Sequence, residues 1–176
     1  MRAMKFGLAA IAVTALSACS TVYEQAADTV GTASVLNRAG EQVGVANLYS
    51  LAGEVTLSVS FTSLPAGTSA VHLHTTGDCS AGDFTSAGGH LNPGDNQHGT
   101  LNPQGAHLGD LPNIEIGSDG SGSMSAILRG RSAEVLPQIF DGDGTALVVH
   151  EGPDDYRTDP AGAAGARIAC GVFSES

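Results

Sequence analysis

The chain has 176 residues, enough for one domain with a substantial core and too few for two comfortable ones. Its 24 glycines are scattered without a period and tryptophan is absent, so collagen-like and low-complexity readings fail and a turn-rich β protein is expected. A formal charge of −11, with no basic cluster beyond the first five residues, excludes a nucleic-acid-binding surface.

In chain order, residues 1–5 carry Arg2 and Lys5, and residues 6–15 form an apolar run too short to span a bilayer, as in a targeting segment. Leu16-Ser17-Ala18-Cys19 follows and resembles the bacterial lipobox. That resemblance implies cleavage before Cys19 and acylation of its amine and thiol. Several acyl chains on one residue anchor stably where one is marginal. The alternative is an ordinary signal peptide with an incidental cysteine. Residues 1–18 are thus expected to be a lipoprotein signal peptide, 19–31 a lipidated cysteine with a flexible polar tether, and 32–176 the functional domain. Without Arg2 and Lys5, 5 arginines face 18 acidic residues, a formal −13. An exported protein on the periplasmic or cell-surface side, held to the membrane through Cys19, is the expected location. With Cys19 taken by lipid, Cys79 and Cys170 remain as one pair for an oxidising compartment. That bond would close a loop of about 90 residues and stabilise by roughly 4–5 kcal/mol, less any native strain. Two free thiols or metal thiolates are the alternatives.

From Thr32 the pattern is β. Residues 54–62 alternate, with Val55, Leu57, Val59 and Phe61 on one face and Thr56, Ser58, Ser60 and Thr62 on the other. Residues 33–37 and 43–50 read as strands joined by a turn at 38–41, and residues 70–74 as a fourth strand. Residues 75–110 are rich in Gly, Asn, Pro and Asp and hold no core strand; an irregular loop of some 35 residues is usually functional. Strand patterns return at 113–117, 122–128, 135–140 and 145–150, the last two flanking a hairpin turn Asp141-Gly142-Asp143-Gly144. A second irregular stretch, 151–165, precedes a last strand at 166–173. These short strands with two long excursions predict an all-β antiparallel fold, a sandwich or Greek-key β-barrel with two functional loops. A calcium loop at 141–152 is excluded because Gly152 stands where the bidentate glutamate belongs. No Gly-x-Ser-x-Gly elbow, P-loop or dinucleotide fingerprint is present.

All six histidines fall in or beside the two irregular stretches: His72, His74, His90, His98, His107 and His150. Singly, each reads as a solvated loop histidine. Together they indicate metal. His72 and His74 alternate on a strand and project from one face. A His₃Asp set including His98, His107 and Asp110 suits Zn²⁺, whose structural sites are closed and tetrahedral. Imidazole-rich ligation without thiolate also suits Cu(II).

The words around these residues are then recognisable. His72-Leu73-His74-Thr75-Thr76-Gly77-Asp78-Cys79, Ala87-Gly88-Gly89-His90-Leu91-Asn92-Pro93, Gln97-His98-Gly99 and His107-Leu108-Gly109-Asp110-Leu111-Pro112 resemble the metal region of copper/zinc superoxide dismutases. Leu147-Val148-Val149-His150-Glu151 and Gly165-Ala166-Arg167-Ile168-Ala169-Cys170-Gly171 match the same family, whose bacterial branch is suggested by Pro112 and Asp154-Asp155-Tyr156. The resemblance implies an eight-stranded Greek-key barrel with copper held by His72, His74, His90 and His150. It implies zinc held by His90, His98, His107 and Asp110, with His90 bridging the two metals. Asp154 would link His72 to His98, Arg167 would hold the substrate anion beside copper, and Cys79–Cys170 would be the family disulfide. The substrate is then superoxide, and monomer and homodimer both stay open. The rival is a non-enzymatic copper/zinc-binding envelope lipoprotein on the same scaffold. The mature chain has no lysine and residues 75–110 no cation, so Arg157 and Arg167 are the expected cations near the site, Arg129 and Arg131 lie elsewhere, and electrostatic steering is expected to be weak.

Overall fold

The computed structural model describes residues 26–176. The lipobox and Cys19 lie outside the described residues. Strand β1 (Asp28–Asn37) starts four residues before the expected domain boundary, so Asp28–Gly31 belongs to the sheet and not to the tether. β2 (Gln42–Leu51) and β3 (Glu54–Phe61) follow as a meander paired residue for residue from Gly44↔Phe61 to Leu51↔Glu54. Alternation along β3 sends Val55, Leu57, Val59 and Phe61 into the core and leaves Ser60 exposed, as a half-buried antiparallel sheet requires.

β4 (Gly67–Ser69) and β5 (Val71–His74) occupy the expected fourth strand and its approach. After the first loop come β6 (Ile114–Ile116), β7 (Gly122–Ile127), helix α1 (Ser132–Ile139), β8 (Ala146–His150), β9 (Arg167–Val172) and β10 (Ser174–Glu175). All pairings between strands are antiparallel, in the order β5-β8-β9-β1-β2-β3-β7 with β10 added to β1. The sheet curls into a half-barrel. A β4–β6 ribbon stands between its two edges, continuous with β5 through β4 and joined to β7 by the turn after β6. Val35, Leu48, Leu57, Leu73, Leu147 and Val149 fill the interior with no exposed surface.

One expected strand is a helix. Residues 135–140 (Val-Leu-Pro-Gln-Ile-Phe) place apolar side chains at i, i+1, i+4 and i+5, a 3.6-residue stripe and not an alternation. Val135 and Ile139 are buried on that stripe, and the Glu134 carboxylate accepts the Arg131 N–H at 3.1 Å to close the first turn. Asp141-Gly142-Asp143-Gly144 is therefore the exit from α1, not a hairpin, with the Gly144 N–H donated to Asp141 Oδ1 at 2.9 Å.

β5 and β8 position the site. Every residue of both is buried, because their two faces are covered by different things. Val71, Leu73, Leu147 and Val149 point into the core. Ala146 and Val148 point outward onto Phe84, Ala87 and Cys170 beneath the first loop, and by strand alternation His72, His74 and His150 share that outer face. The loop has one short 3₁₀ turn, Thr85–Ala87, and is sewn to the β5 edge by Leu91 N–H to Leu73 O at 2.8 Å and Leu73 N–H to Gly109 O at 3.0 Å. Cys79 and Cys170 form a disulfide that fastens the same loop to β9.

A candidate two-metal centre

Two groups of buried side chains meet at His90. His72, His74, His90 and His150 can each bring one nitrogen within 4.8 Å of the others; His90, His98, His107 and Asp110 do the same. Around Asp110 Oδ1 stand His90 Nδ1 at 2.8 Å, His98 Nδ1 at 3.0 Å and His107 Nδ1 at 3.1 Å. A tetrahedral ion with ligands at 2.0–2.1 Å has ligand–ligand edges of about 3.3 Å. The His90 Nδ1–His107 Nδ1 separation is 3.4 Å. Three imidazoles and one carboxylate oxygen thus occupy the corners such an ion demands. His98 Nδ1 lies close to Asp110 Oδ1 yet off the angle for a hydrogen bond, and has no partner.

The other ring nitrogens explain the orientation of each imidazole. His74 Nδ1 is 2.9 Å from Gly88 O, His150 Nδ1 3.2 Å from Gly165 O and His107 Nε2 3.1 Å from Asn96 O. His72 Nε2 and His98 Nε2 reach the two oxygens of Asp154 at 2.8 and 2.9 Å. Donation at those atoms leaves a lone pair on the opposite nitrogen, turned inward. The buried nitrogens without any partner are His72 Nδ1, His74 Nε2, His90 Nε2, His98 Nδ1 and His150 Nε2. Five orphaned acceptors in a dry interior are costly unless a cation fills the space between them. The donor set fits metal. His72, His98 and Asp154 also lie close enough to hold an ion, but their hydrogen bonds already satisfy those atoms.

Electrostatics agree with neutral imidazoles and ionised carboxylates. Burial pushes His72 and His150 each down to about 4, and drives His74 and His90 down as well. Burial opposes ionisation of Asp110, but hydrogen bonds from His90 and the Gly99 N–H outweigh it and hold the carboxyl well below the usual range. Asp154 is lowered against burial in the same way, by His72, His98 and the Tyr156 N–H.

The two pockets differ in access. His98 and Asp110 side chains are at most 1% exposed. The His74–His90–His150 side instead opens on a cleft of about 280 Å³ that also meets Pro160, Ala161, Arg167 and one edge of His107. The Arg167 guanidinium donates to Phe84 O at 2.6 Å and Gly88 O at 2.7 Å, sharing the latter carbonyl with His74. Arg157 does not line this cleft; it donates to Leu101 O at 3.3 Å on the surface. Arg129 is not remote either, since its guanidinium donates to the carbonyl of His107.

Sequence reasoning missed the parts that hold the loops together. The Asp159 carboxylate accepts the His98 N–H at 2.6 Å, and Asn113 and Asp154 exchange reciprocal amide–backbone hydrogen bonds at 2.8 and 2.9 Å. Gly162, at φ +66°, has to be glycine, because a Cβ would strike the Asp154 carboxylate where it meets His98. Gly99, at φ +103°, lets the first loop cross the Tyr156 backbone. The hydrogen bonds among these contacts join residues about 40–60 apart, and no local pattern announces them.

A curled antiparallel sheet whose outer face carries two fused histidine pockets defines a metal-binding β protein. Residues 42–173 match the family model described as copper/zinc superoxide dismutase (SODC). The chain is 43% identical over 125 residues to "Superoxide dismutase [Cu-Zn] 1" of Aquifex aeolicus, covering 67% of this chain and 72% of that one. It is 42% identical over 123 residues to the Cu-Zn superoxide dismutase of Caulobacter vibrioides, covering 68% and 71%. Among solved structures it is similar to a SOD-like protein from Bacillus subtilis (TM-score 0.75, 38% identity, 84% of this chain and 99% of that one). The Cu/Zn superoxide dismutase of Brucella abortus is a second such structure (TM-score 0.64, 30% identity, 80% and 97%). The chain belongs to the copper/zinc superoxide dismutase family.

Proposed function

We propose that this chain is a superoxide dismutase that converts two superoxide anions and two protons into dioxygen and hydrogen peroxide, protecting the cell envelope. In this reading His72, His74, His90 and His150 hold copper, His90, His98, His107 and Asp110 hold zinc, and Asp154 fixes one ligand of each. The observation that carries the reading is His90. It alone of the six histidines has no outer acceptor, with Nδ1 turned into the Asp110 pocket and Nε2 unpartnered on the side of the cleft.

Copper, when bound, supplies a one-electron couple that takes an electron from one superoxide and returns it to the next. The chain's own residues do the rest. Arg167 lies in the cleft and neutralises the incoming anion, its own position fixed by Phe84 O and Gly88 O. His90 Nε2 holds and delivers a proton to the second superoxide, while Asp110 and the closed pocket hold the ring in place. The non-enzymatic rival has no use for Arg167 placed at the mouth of an open pocket.

The disulfide supports an oxidising compartment, and the lipobox at 16–19 supports export and anchoring through Cys19, with residues 1–18 removed. Metal analysis of the purified protein beside a superoxide-decay assay tests the enzymatic reading, with His150→Ala as control. One equivalent each of copper and zinc with rapid decay, reduced about a thousandfold or more by His150→Ala, is expected. Full metal content without dismutation would refute it.

A further inference from the structure

We propose that Arg129 is a positioning residue for the zinc half of the centre: it latches His107 to the barrel and sets how long zinc is held. The inference rests on the ligand assignment above. His98 is tied outside the first loop by Asp154 and Asp159, and His90 and Asp110 sit on isolated bridges to His74 and His72 of β5. His107 has a different set of partners. Its N–H goes to Asp110 Oδ2 at 3.0 Å, its Nε2 faces Asn96 O at 3.1 Å, and the Asn96 side chain returns to Ala106 O at 3.1 Å. These partners all belong to the same loop, which the Leu73–Gly109 hydrogen bond and the Asp110 bridge fasten to β5 only after His107.

Arg129 adds a hold at His107 itself. It follows β7 and Leu128, which is buried and donates its N–H to Val55 O at 2.8 Å, so its backbone leaves directly from the sheet. Its guanidinium donates to His107 O. Leu108 packs, partly buried, against the core, but the loop is otherwise open here. Clefts of about 390 and 400 Å³ flank the contact, and both are lined by Leu108 and Arg129. A charge-assisted hydrogen bond to that carbonyl is a direct tether at the ligand, stronger than the bond to water that would replace it.

The test compares zinc and copper release from the fully metallated protein into excess chelator for wild type, Arg129→Ala and Arg129→Lys, with thermal unfolding of each metal-free form. Loss of an outer partner of a metal ligand typically costs 10–100-fold in affinity, so Arg129→Ala should release zinc about tenfold faster. Copper release should be unchanged, the metal-free Tm should stay within about 2 °C, and Arg129→Lys should restore most of the retention. With Co²⁺ in place of zinc, the visible spectrum should shift in Arg129→Ala and return in Arg129→Lys. Zinc release within twofold of wild type overturns the latch alone. Equal acceleration of both metals, or a metal-free Tm that falls with them, reduces Arg129 to a general stability role and also overturns it. A wild-type protein that takes up no zinc overturns the ligand assignment and the latch together.

Discussion

The pocket around Asp110 is closed by protein except where His107 meets the cleft, whereas the pocket between His74 and His150 opens through that cleft onto Arg167. They share one imidazole and much the same burial, so residue type does not explain the contrast. Its source is what covers them. Both loops cross over the Asp110 pocket and lock there through Asp154, Asp159 and Tyr156, while over the other pocket the second loop contributes only Pro160 and Ala161 to a rim. A closed four-ligand site with hydrogen-bonded outer partners is how proteins hold a structural ion, and an accessible position beside a cation is how they expose a reactive one. The difference teaches that one helps to shape the other, through His90.

The change expected to disturb both pockets most is at the residue that spans them. Asp154→Asn removes the charge that fixes His72 on one side and His98 on the other. Affinity for copper and for zinc should each fall about 10–100-fold in competition titrations with chelators. Loss confined to one metal would break the symmetry assigned to Asp154. A change confined to the open pocket should leave metal alone. Arg167→Ala is expected to lower the second-order rate of superoxide decay about tenfold with copper and zinc content unchanged. Metal loss in that variant would mean that Arg167 matters by holding Phe84 and Gly88, not by meeting the anion.

Acid should act on the pockets before it acts on the sheet. In the metal-free protein His72 and His150 titrate near 4 when folded against an ordinary 6.5, so between those values the unfolded chain binds more protons and stability falls as pH falls. A drop in metal-free Tm of about 10 °C from pH 6.5 to 4 is expected, with a smaller slope between pH 6.5 and 8. A flat Tm across the acid window would mean that the imidazoles are hydrated and not buried. Smallest of all should be the response to salt. Arg167 is the one cation lining the open cleft among the described residues, so raising ionic strength from 0.01 to 0.15 M should slow superoxide decay less than about threefold.

Much of this was legible in the sequence because it is local. β3 announces itself by strict alternation, and His72 and His74 share a face because a strand has a period of two. Helix α1 is not legible locally because Val135 and Ile139, four residues apart, share a face in a strand as well as in a helix, and Pro137 disfavours a helix interior. The start of β1 is equally hidden, because Asp28-Thr29-Val30-Gly31 has little apolar pattern and its strand pairing comes from β2 and β10, not from its own residues. Arg129 and Asp159 were invisible for the same reason. Each acts on a histidine through backbone atoms, which carry no residue code.

That His90 joins two metals is tested most directly by loading Cu²⁺ into the open pocket and Co²⁺ into the Asp110 pocket and recording the electron paramagnetic resonance of copper. A bridging imidazole couples the two spins, so the Cu²⁺ signal should vanish when Co²⁺ is bound and return when Co²⁺ is exchanged for Zn²⁺. A Cu²⁺ signal of full intensity with both pockets filled would contradict the bridge.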